Sequence, residues 1–233
     1  MAFEWITSIT PSLEMTEGPY YGYGGPMRSD IREDVKGISL HLAIKVVNVA
    51  DGGALLRMTV DLWHCDPSGR YSGYDFDPDK QPESVDYQMP SRAGAALRGS
   101  QVTNAEGIVE FLTIFPGWYA TRTPHLHVKV FDGVTCILTT QLCLPDGFTR
   151  LFYEREEFYG RHIERDTFND TDIILAKAQG SIDGCWIELR QVDDDLYGEA
   201  VLAVDVNARS VRKPVPAGFR PPLGGVAHDK PVR

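Results

Sequence analysis

The 233-residue chain lacks the features that mark membrane, secreted and nucleic-acid-binding proteins. No apolar run approaches the roughly 20 residues that a membrane-spanning helix needs, so we expect no membrane contact. The N-terminal sequence has neither the basic region nor the apolar stretch of a signal peptide, which favours a cytoplasmic location. Acidic residues outnumber basic ones by 33 to 23, and no stripe of Lys and Arg offsets the net charge of −10. We therefore expect no nucleic-acid partner.

Cysteine is scarce as well, and its spacing predicts no disulfide. The chain has four cysteines, none of them in a C-x-x-C pair. Cys136 and Cys143 are seven residues apart, so on one continuous strand they would face opposite sides and could not bond. The sequence predicts buried free thiols, as in a reducing compartment.

Strand signals dominate what is present. A chain of this length with 42% hydrophobic and 24% charged residues fits one large globular domain. Seven segments are rich in apolar and β-branched residues and are separated by turn-like Gly, Asp and Pro. They are 40–49, 56–65, 107–115, 125–131, 135–144, 185–192 and 198–206. Helical signal is confined to 148–162 and 170–178. The pattern predicts a mainly β fold, a sandwich or a barrel, with one or two short helices.

Three long segments have no regular pattern and are rich in Gly, Pro or acidic residues: 16–30, 74–94 and 213–233. Irregular segments of this length are uncommon in a compact domain unless they carry function or bind a partner chain. No repeat or linker divides the sequence. We therefore predict a single domain over 1–233, with 213–233 as an extended tail that could wrap around a neighbouring subunit.

Two histidines separated by one residue, His125 and His127, lie on a predicted strand. Alternate strand residues project from the same face about 7 Å apart, so the two rings could converge on one ion. Imidazole accepts Zn, Cu, Ni and Fe, but the pair alone is weak evidence for a metal, and a half-exposed strand that tolerates polar residues explains it better. His64 could complete a zinc site, although its place on an apolar strand face favours a packed residue.

Two tyrosines add a second kind of donor. Tyr119 precedes the histidine pair by a short bend, and Tyr71 lies in the glycine-rich turn SGRYSGY (68–74). A phenol has an ordinary pKa of about 10, and a strongly charged cation such as Fe(III) would deprotonate it at neutral pH. Taken alone, Tyr71 is better explained as a residue of a surface turn.

The order of these motifs resembles the intradiol ring-cleavage dioxygenases, non-haem Fe(III) enzymes that open catechol rings. The matching stretches are TEGPYY (16–21), VDLWHCDPSGRYSGYD (60–75), LRGSQVTNAEG (97–107), FPGWYATRTPHLHVKV (115–130) and TTQLC (139–143). Beyond residue 150 only strand character matches. The resemblance implies a β-sandwich core with long irregular loops.

The resemblance also implies the reaction and the metal ligands. Tyr71, Tyr119, His125 and His127 match the four ligands of non-haem Fe(III). Catechol would displace Tyr119, and reaction with O2 would cut the ring between its two hydroxylated carbons to give a cis,cis-muconate. Arg122 matches a family Arg that stabilises negative charge on the ring, and Gln141 matches a family Gln beside that Arg.

Five further residues fall where the family shapes its substrate pocket: Gly18, Pro19, Tyr20, Pro67 and Ser68. Ligand and pocket motifs share one polypeptide here, so we expect a homo-oligomer with complete sites. A carboxylated catechol would need a cation, for which Arg28 and Lys129 are candidates. Two other functions stay open: a non-catalytic β-sandwich binding module, and a zinc-dependent hydrolase that uses His64 with the histidine pair.

Overall fold

The computed structural model describes residues 9–22, 25–81, 87–155, 157–161, 163–178 and 182–210. Within these residues, eight strands form two four-stranded sheets that pack face to face. The strands are β1 (Ser39–Asn48), β2 (Thr59–Trp63), β3 (Arg98–Val102), β4 (Ile108–Ile114), β5 (His125–Asp132), β6 (Thr135–Cys143), β7 (Glu188–Val192) and β8 (Asp195–Val204). The predicted mainly β sandwich is confirmed, and the described strands do not close into a barrel. The predicted tail 213–233 lies outside the described residues.

The first sheet has the order β4–β1–β8–β7 and the second has the order β3–β2–β5–β6. Strands β1 and β8 run parallel, and the other neighbours are antiparallel. Between the sheets lies one apolar core, to which β1 contributes Leu40 and Leu42 and β5 contributes Leu126, Val128 and Val130. The inward residues alternate along each strand, as the period of a pleated strand requires.

Strands β5 and β6 of the second sheet are buried on both faces. Along β5 every residue from His125 to Phe131 is buried, and along β6 every residue after Thr135 is buried. An antiparallel sheet commonly leaves one face to water. Here irregular segments cover that face, so the interpretation of the histidine strand as half-exposed is wrong.

Strand β3 is not among the strands that the sequence predicts. Its sequence, RGSQV, is polar and contains glycine, which disfavours a strand by propensity. It lies at an edge of the second sheet, where chain 25–28 adds hydrogen bonds from Arg28 N to Ser100 O (3.1 Å) and from Ser100 N to Pro26 O (2.9 Å). Burial under this segment stabilises a strand that its own side chains do not indicate.

Both predicted helical segments contain helices. Helix α1 spans Asp146–Arg155 and α2 spans Ile173–Lys177, and short 3-10 helices occur at Glu157–Tyr159 and Ile182–Cys185. Asp172 caps α2, since its Oδ1 accepts hydrogen bonds from the backbone N–H groups of Ile174 (2.8 Å) and Leu175 (3.1 Å). All four cysteines are buried and none is in a disulfide bond, as predicted. Within the described part of the chain, none of the helices has the length and apolar character that crossing a membrane requires.

Candidate metal centre

Strand β5 delivers the histidine pair to the covered face of the second sheet. In the ladder, His127 lies opposite Trp63 on β2 and opposite Gln141 on β6. The indole of Trp63 stacks on the His127 ring with centroids 4.8 Å apart and planes 9° apart. This parallel contact fixes the imidazole plane, because the ring cannot rotate without losing it.

Two loops bring the tyrosines to the histidines, and glycines let these loops touch. Gly69 has φ +88°, and a methyl group built on it would lie 2.1 Å from Trp118 O. A methyl group on Gly117 would lie 2.3 Å from Pro67 O. The backbone before Tyr71 therefore packs directly on the backbone before Tyr119, at a distance that no side chain would permit.

The four predicted ligands converge on one point. Tyr119 Oη lies 3.2 Å from His125 Nε2, which lies 3.1 Å from His127 Nε2, which in turn lies 3.0 Å from Tyr71 Oη. Two ligand atoms that each bind a metal at about 2.1 Å stand roughly 3 Å apart, so this spacing fits a single ion. The described residues contain no group of three or more His, Cys, Asp and Glu that could hold a metal. The candidate centre therefore depends on its tyrosines.

Both histidines are in the protonation state that a metal needs. Burial lowers the pKa of His125 to about 3, and the nearby Arg122 guanidinium adds to this effect. Burial also holds the pKa of His127 well below its ordinary value. His125 Nδ1 donates to Thr123 O at 2.6 Å, and since a carbonyl only accepts, the lone pair must lie on Nε2. His125 thus presents its lone pair to the centre.

The tyrosines have the opposite tendency. Burial raises the pKa of Tyr71 well above its ordinary value and raises the pKa of Tyr119 as well. Without a cation, both side chains therefore remain neutral phenols at neutral pH. A donor set of two phenols and two neutral imidazoles, fully enclosed by protein, fits a hard and highly charged cation such as Fe(III).

Arg122 is held beside this donor set by a residue that no sequence motif indicates. Its Nε donates to Asp172 Oδ2 at 2.9 Å, and one terminal nitrogen lies 3.4 Å from His125 Nε2. Asp172 is fully buried, and its Oδ2 also accepts the backbone N–H of Thr123 at 2.8 Å. Asp172 thus joins the cap of α2 to Arg122. An Asp that precedes a helical segment is a visible signal for a cap, but its partner 50 residues away is not.

Gln141 is buried and contacts Arg122, as the resemblance implied. Its Oε1 accepts from the second terminal nitrogen of Arg122 at 2.5 Å, and its Nε2 donates to Thr16 O at 2.8 Å. Both hydrogen-bonding groups of the amide are used inside the protein, and the side chain is fully buried. Gln141 therefore links the guanidinium to the N-terminal segment.

The structure brings two of the five predicted pocket residues, Gly18 and Tyr20, to the ligands. A methyl group on Gly18 would lie 3.2 Å from Cε1 of His127, so the glycine backbone covers that ring. Tyr20 stacks on Tyr71 (4.7 Å, 22°) and on Phe76 (4.6 Å, 20°). Pro19, between them, accepts a hydrogen bond from the backbone N–H of Gln88 at 2.9 Å.

Pro67 and Ser68 lie in the turn that supports Tyr71. The Ser68 hydroxyl donates to Asp66 Oδ1 at 2.7 Å, and Pro67 is buried with its carbonyl against Gly117. These contacts explain both residues as parts of the turn, and a role toward substrate stays a prediction.

Two alternatives that the sequence left open can be judged by contacts. His64 uses both ring nitrogens within the protein, Nδ1 with Cys65 O at 2.8 Å and Nε2 with Thr113 Oγ1 at 2.6 Å. It is a packed residue, and neither ring nitrogen is left for a zinc ion. Arg28 pairs with Glu33 at 2.8 Å and donates to backbone carbonyls, so it is not a free cation for a substrate carboxylate.

A β-sandwich that buries two phenols and two imidazoles side by side contains a candidate site for one metal ion, and comparison with known proteins identifies the family. The model of a dioxygenase family matches residues 16–147, which contain all four predicted ligands. The chain belongs to the intradiol ring-cleavage dioxygenase family.

Named relatives agree with this membership. A chlorocatechol 1,2-dioxygenase from Cupriavidus pinatubonensis is 34% identical over 149 residues, covering 59% of this chain and 55% of the relative. The chain thus matches about half the length of that curated relative. An intradiol ring-cleavage dioxygenase from Tetranychus urticae has a similar structure, with 29% identity, a TM-score of 0.77, and coverage of 86% of this chain and 97% of that one. Catechol 1,2-dioxygenase from Pseudomonas arvilla C-1 shares the fold, with 21% identity, a TM-score of 0.57, and coverage of 91% and 68%.

Proposed function

We propose that this protein is a non-haem Fe(III) intradiol dioxygenase that cleaves a catechol-type ring between its two hydroxylated carbons with O2, giving a cis,cis-muconate-type product. The proposal is carried by the donor atoms of Tyr119, His125, His127 and Tyr71, which follow one another at 3.2, 3.1 and 3.0 Å in a chain of this family. A bound ferric ion would supply the Lewis acidity that holds the catechol oxygens and makes the ring reactive toward O2.

The residues around the donor set have separate tasks. Tyr119 matches the ligand that substrate displaces in this family, and as an iron-bound phenolate it would take a proton from an arriving catechol. Arg122 directs a guanidinium at the His125 side of the centre, where it would stabilise negative charge that develops on the ring. The burial of the four predicted ligands and Arg122 keeps water from competing for their polar atoms.

The aromatic wall beside the ligands favours an uncharged catechol. Tyr20 and Phe76 stack next to Tyr71 and present a planar, apolar surface. The two cations that could have received a substrate carboxylate, Arg28 and Lys129, are already paired with Glu33 and Glu17. Catechol or a chlorinated catechol, the substrate in the name of the Cupriavidus relative, fits this wall better than protocatechuate. A homo-oligomer in the cytoplasm is part of the proposal.

The test is oxygen uptake by the iron-loaded protein with catechol, chlorocatechol, hydroxyquinol and protocatechuate. We expect one O2 consumed per ring, formation of a muconate, and the fastest turnover with catechol or chlorocatechol. The matched control is Tyr71→Phe, which removes one oxygen donor and keeps the packed ring. Iron-loaded protein that consumes no O2 with any of the four would contradict the proposal and leave a binding module.

A further inference from the structure

A short N-terminal segment, residues 14–21, crosses the face of the second sheet that carries the histidine pair; we call it the strap. Met15 N donates to Thr139 O at 2.8 Å, and the Gln141 side chain donates to Thr16 O at 2.8 Å. Both partners lie on β6, next to the ligand strand. The strap therefore follows the sheet at a defined position along it.

One buried ion pair joins the strap to the ligand strand itself. Lys129 Nζ lies 2.8 Å from Glu17 Oε2, with side-chain exposures of 1% and 9%. The ammonium also donates to Thr139 Oγ1 at 3.0 Å and lies 4.9 Å from the centroid of the Tyr21 ring. The other oxygen, Glu17 Oε1, accepts no hydrogen bond from any residue that the structure describes. Lys129 is therefore the cation that neutralises this carboxylate.

The place of this pair is unusual for a β-sandwich. Lys129 is two residues beyond His127, so it projects from the same face as the ligands. A lysine ammonium is almost never fully buried unless it is paired. Removing two charges from water offsets most of their attraction, so apolar replacements are often equally stable. A contribution to stability therefore does not explain why this position has an ion pair. A role in fixing the register of the strap would explain it.

The register of the strap determines which of its residues contact His127 and Tyr71. Gly18, directly after Glu17, covers the His127 ring so closely that an added methyl group would lie 3.2 Å from it. Tyr20 stacks on Tyr71 with centroids 4.7 Å apart. A shift of the strap by one residue would place a side chain against His127 and would turn Tyr20 away from the ligand ring.

We propose that Lys129 and Glu17 are positioning residues that fix the register of the strap, and thereby set the substrate side of the centre. The effect on substrate rests on the proposed function, whereas the effect on the strap does not. The pair acts through Gly18 and Tyr20, and neither charge touches the four ligands in the described structure. Their removal should therefore change substrate affinity more than turnover.

The test compares Lys129→Met/Glu17→Gln, which removes both charges, with Lys129→Met alone. In the metal-free protein, we measure thermal stability and hydrogen exchange of the strap amides by mass spectrometry. In the iron-loaded protein, we measure KM and kcat for catechol. The exposed pair Arg32–Asp30, 2.8 Å apart, supplies the control Arg32→Met/Asp30→Asn.

We expect the double variant to recover the stability that Lys129→Met loses, because no unpaired buried charge remains. Its strap amides should still exchange at least about tenfold faster than those of the wild type, and KM should rise about tenfold while kcat changes less than about threefold. Lys129→Arg, which keeps the charge, should restore part of the protection. The control pair should change neither exchange nor KM.

Wild-type exchange and KM in the stable double variant would overturn the proposal and show that the pair only contributes to folding. If the double variant does not fold, Glu17→Gln decides in its place: strap exchange that rises more than the loss of global stability explains supports the proposal, and exchange that only follows the loss of global stability overturns it. The exchange experiment needs no iron. A protein that fails to cleave catechol would therefore refute the proposed function, whereas the role of the ion pair in the strap would still be tested by exchange in the metal-free protein.

Discussion

The outer faces of the two sheets differ in what covers them. On the first sheet, polar residues such as His41 and Glu110 reach the solvent, and inward apolar residues alternate with them. On the second sheet, the outward residues include His125, His127 and Lys129, and all three are buried. Water satisfies polar groups on the first face, whereas on the second they must be satisfied by one another or by a bound ion. Polar residues on a sheet face therefore form a candidate metal centre only when that face is covered and excluded from water.

The largest expected difference, in iron retention and activity, is between alanine substitutions of one histidine on each face. His127→Ala should abolish iron retention and lower ring cleavage by more than about a hundredfold, beyond what changes outside the ligand set usually cause. His41→Ala, on the solvent-exposed face, should leave both unchanged. Iron content by atomic absorption and O2 uptake check the pair. Full iron retention in His127→Ala would remove this histidine from the ligand set.

A glycine pair tests whether the loops that cover the second face must touch. In Gly69→Ala the new methyl group would lie 2.1 Å from Trp118 O, so the loops must separate. We expect a loss of about 3 kcal/mol in the free energy of unfolding, together with weaker iron binding. Gly133 also has a positive φ (+56°), but an added methyl group meets nothing within 4 Å. Gly133→Ala should cost only about 1 kcal/mol. Equal losses in denaturant unfolding would mean that the loop contact does not matter.

The buried histidine of the core predicts a pH dependence with a definite sign. Burial lowers the pKa of His64 to about 4 in the folded chain, against 6.5 for an exposed histidine. Below pH 6.5 the unfolded chain binds a proton that folded His64 does not, so stability is full above that pH and falls toward pH 4. The difference corresponds to about 3 kcal/mol.

This contribution can be isolated by substitution. Unfolding of metal-free wild type and His64→Gln should be compared between pH 7 and pH 4. The variant should lose less stability over this interval, because glutamine does not titrate. Parallel pH profiles for the two proteins would show that His64 does not contribute.

The smallest effect on turnover is expected at Asp172, the cap of helix α2 that supports Arg122. Asp172→Asn keeps a good helix cap but removes the charge that faces the guanidinium. We expect kcat to fall about tenfold, and the unfolding free energy to fall as well because the buried Arg122 loses its charged partner. Asp170→Asn, two residues earlier on the surface, is the matched control. Unchanged kcat in Asp172→Asn would show that Gln141 alone orients Arg122.

Local patterns in the sequence predicted part of this molecule, and contacts between distant segments supply the rest. The pair His125 and His127 was visible because two strand residues share one face, and a mainly β fold was visible from alternating segments, whereas the choice of a sandwich over a barrel came from the family resemblance. The burial of the sheet face that carries these histidines could not be predicted, because the strap and the tyrosine loops have no periodic pattern that indicates where they pack. Asp172 and the partner of Lys129 depend on contacts across long separations in sequence. Strand β3 depends on an edge position that its polar residues do not reveal.

The central claim, that two phenols and two imidazoles hold one ferric ion, is tested most directly by the visible spectrum of the iron-loaded protein before and after anaerobic addition of catechol. We predict a wine-red protein whose broad band arises from tyrosinate-to-iron charge transfer, shifts to longer wavelength with catechol, and changes in Tyr71→Phe. A colourless protein after iron loading, or a band that Tyr71→Phe leaves unchanged, would contradict the claim.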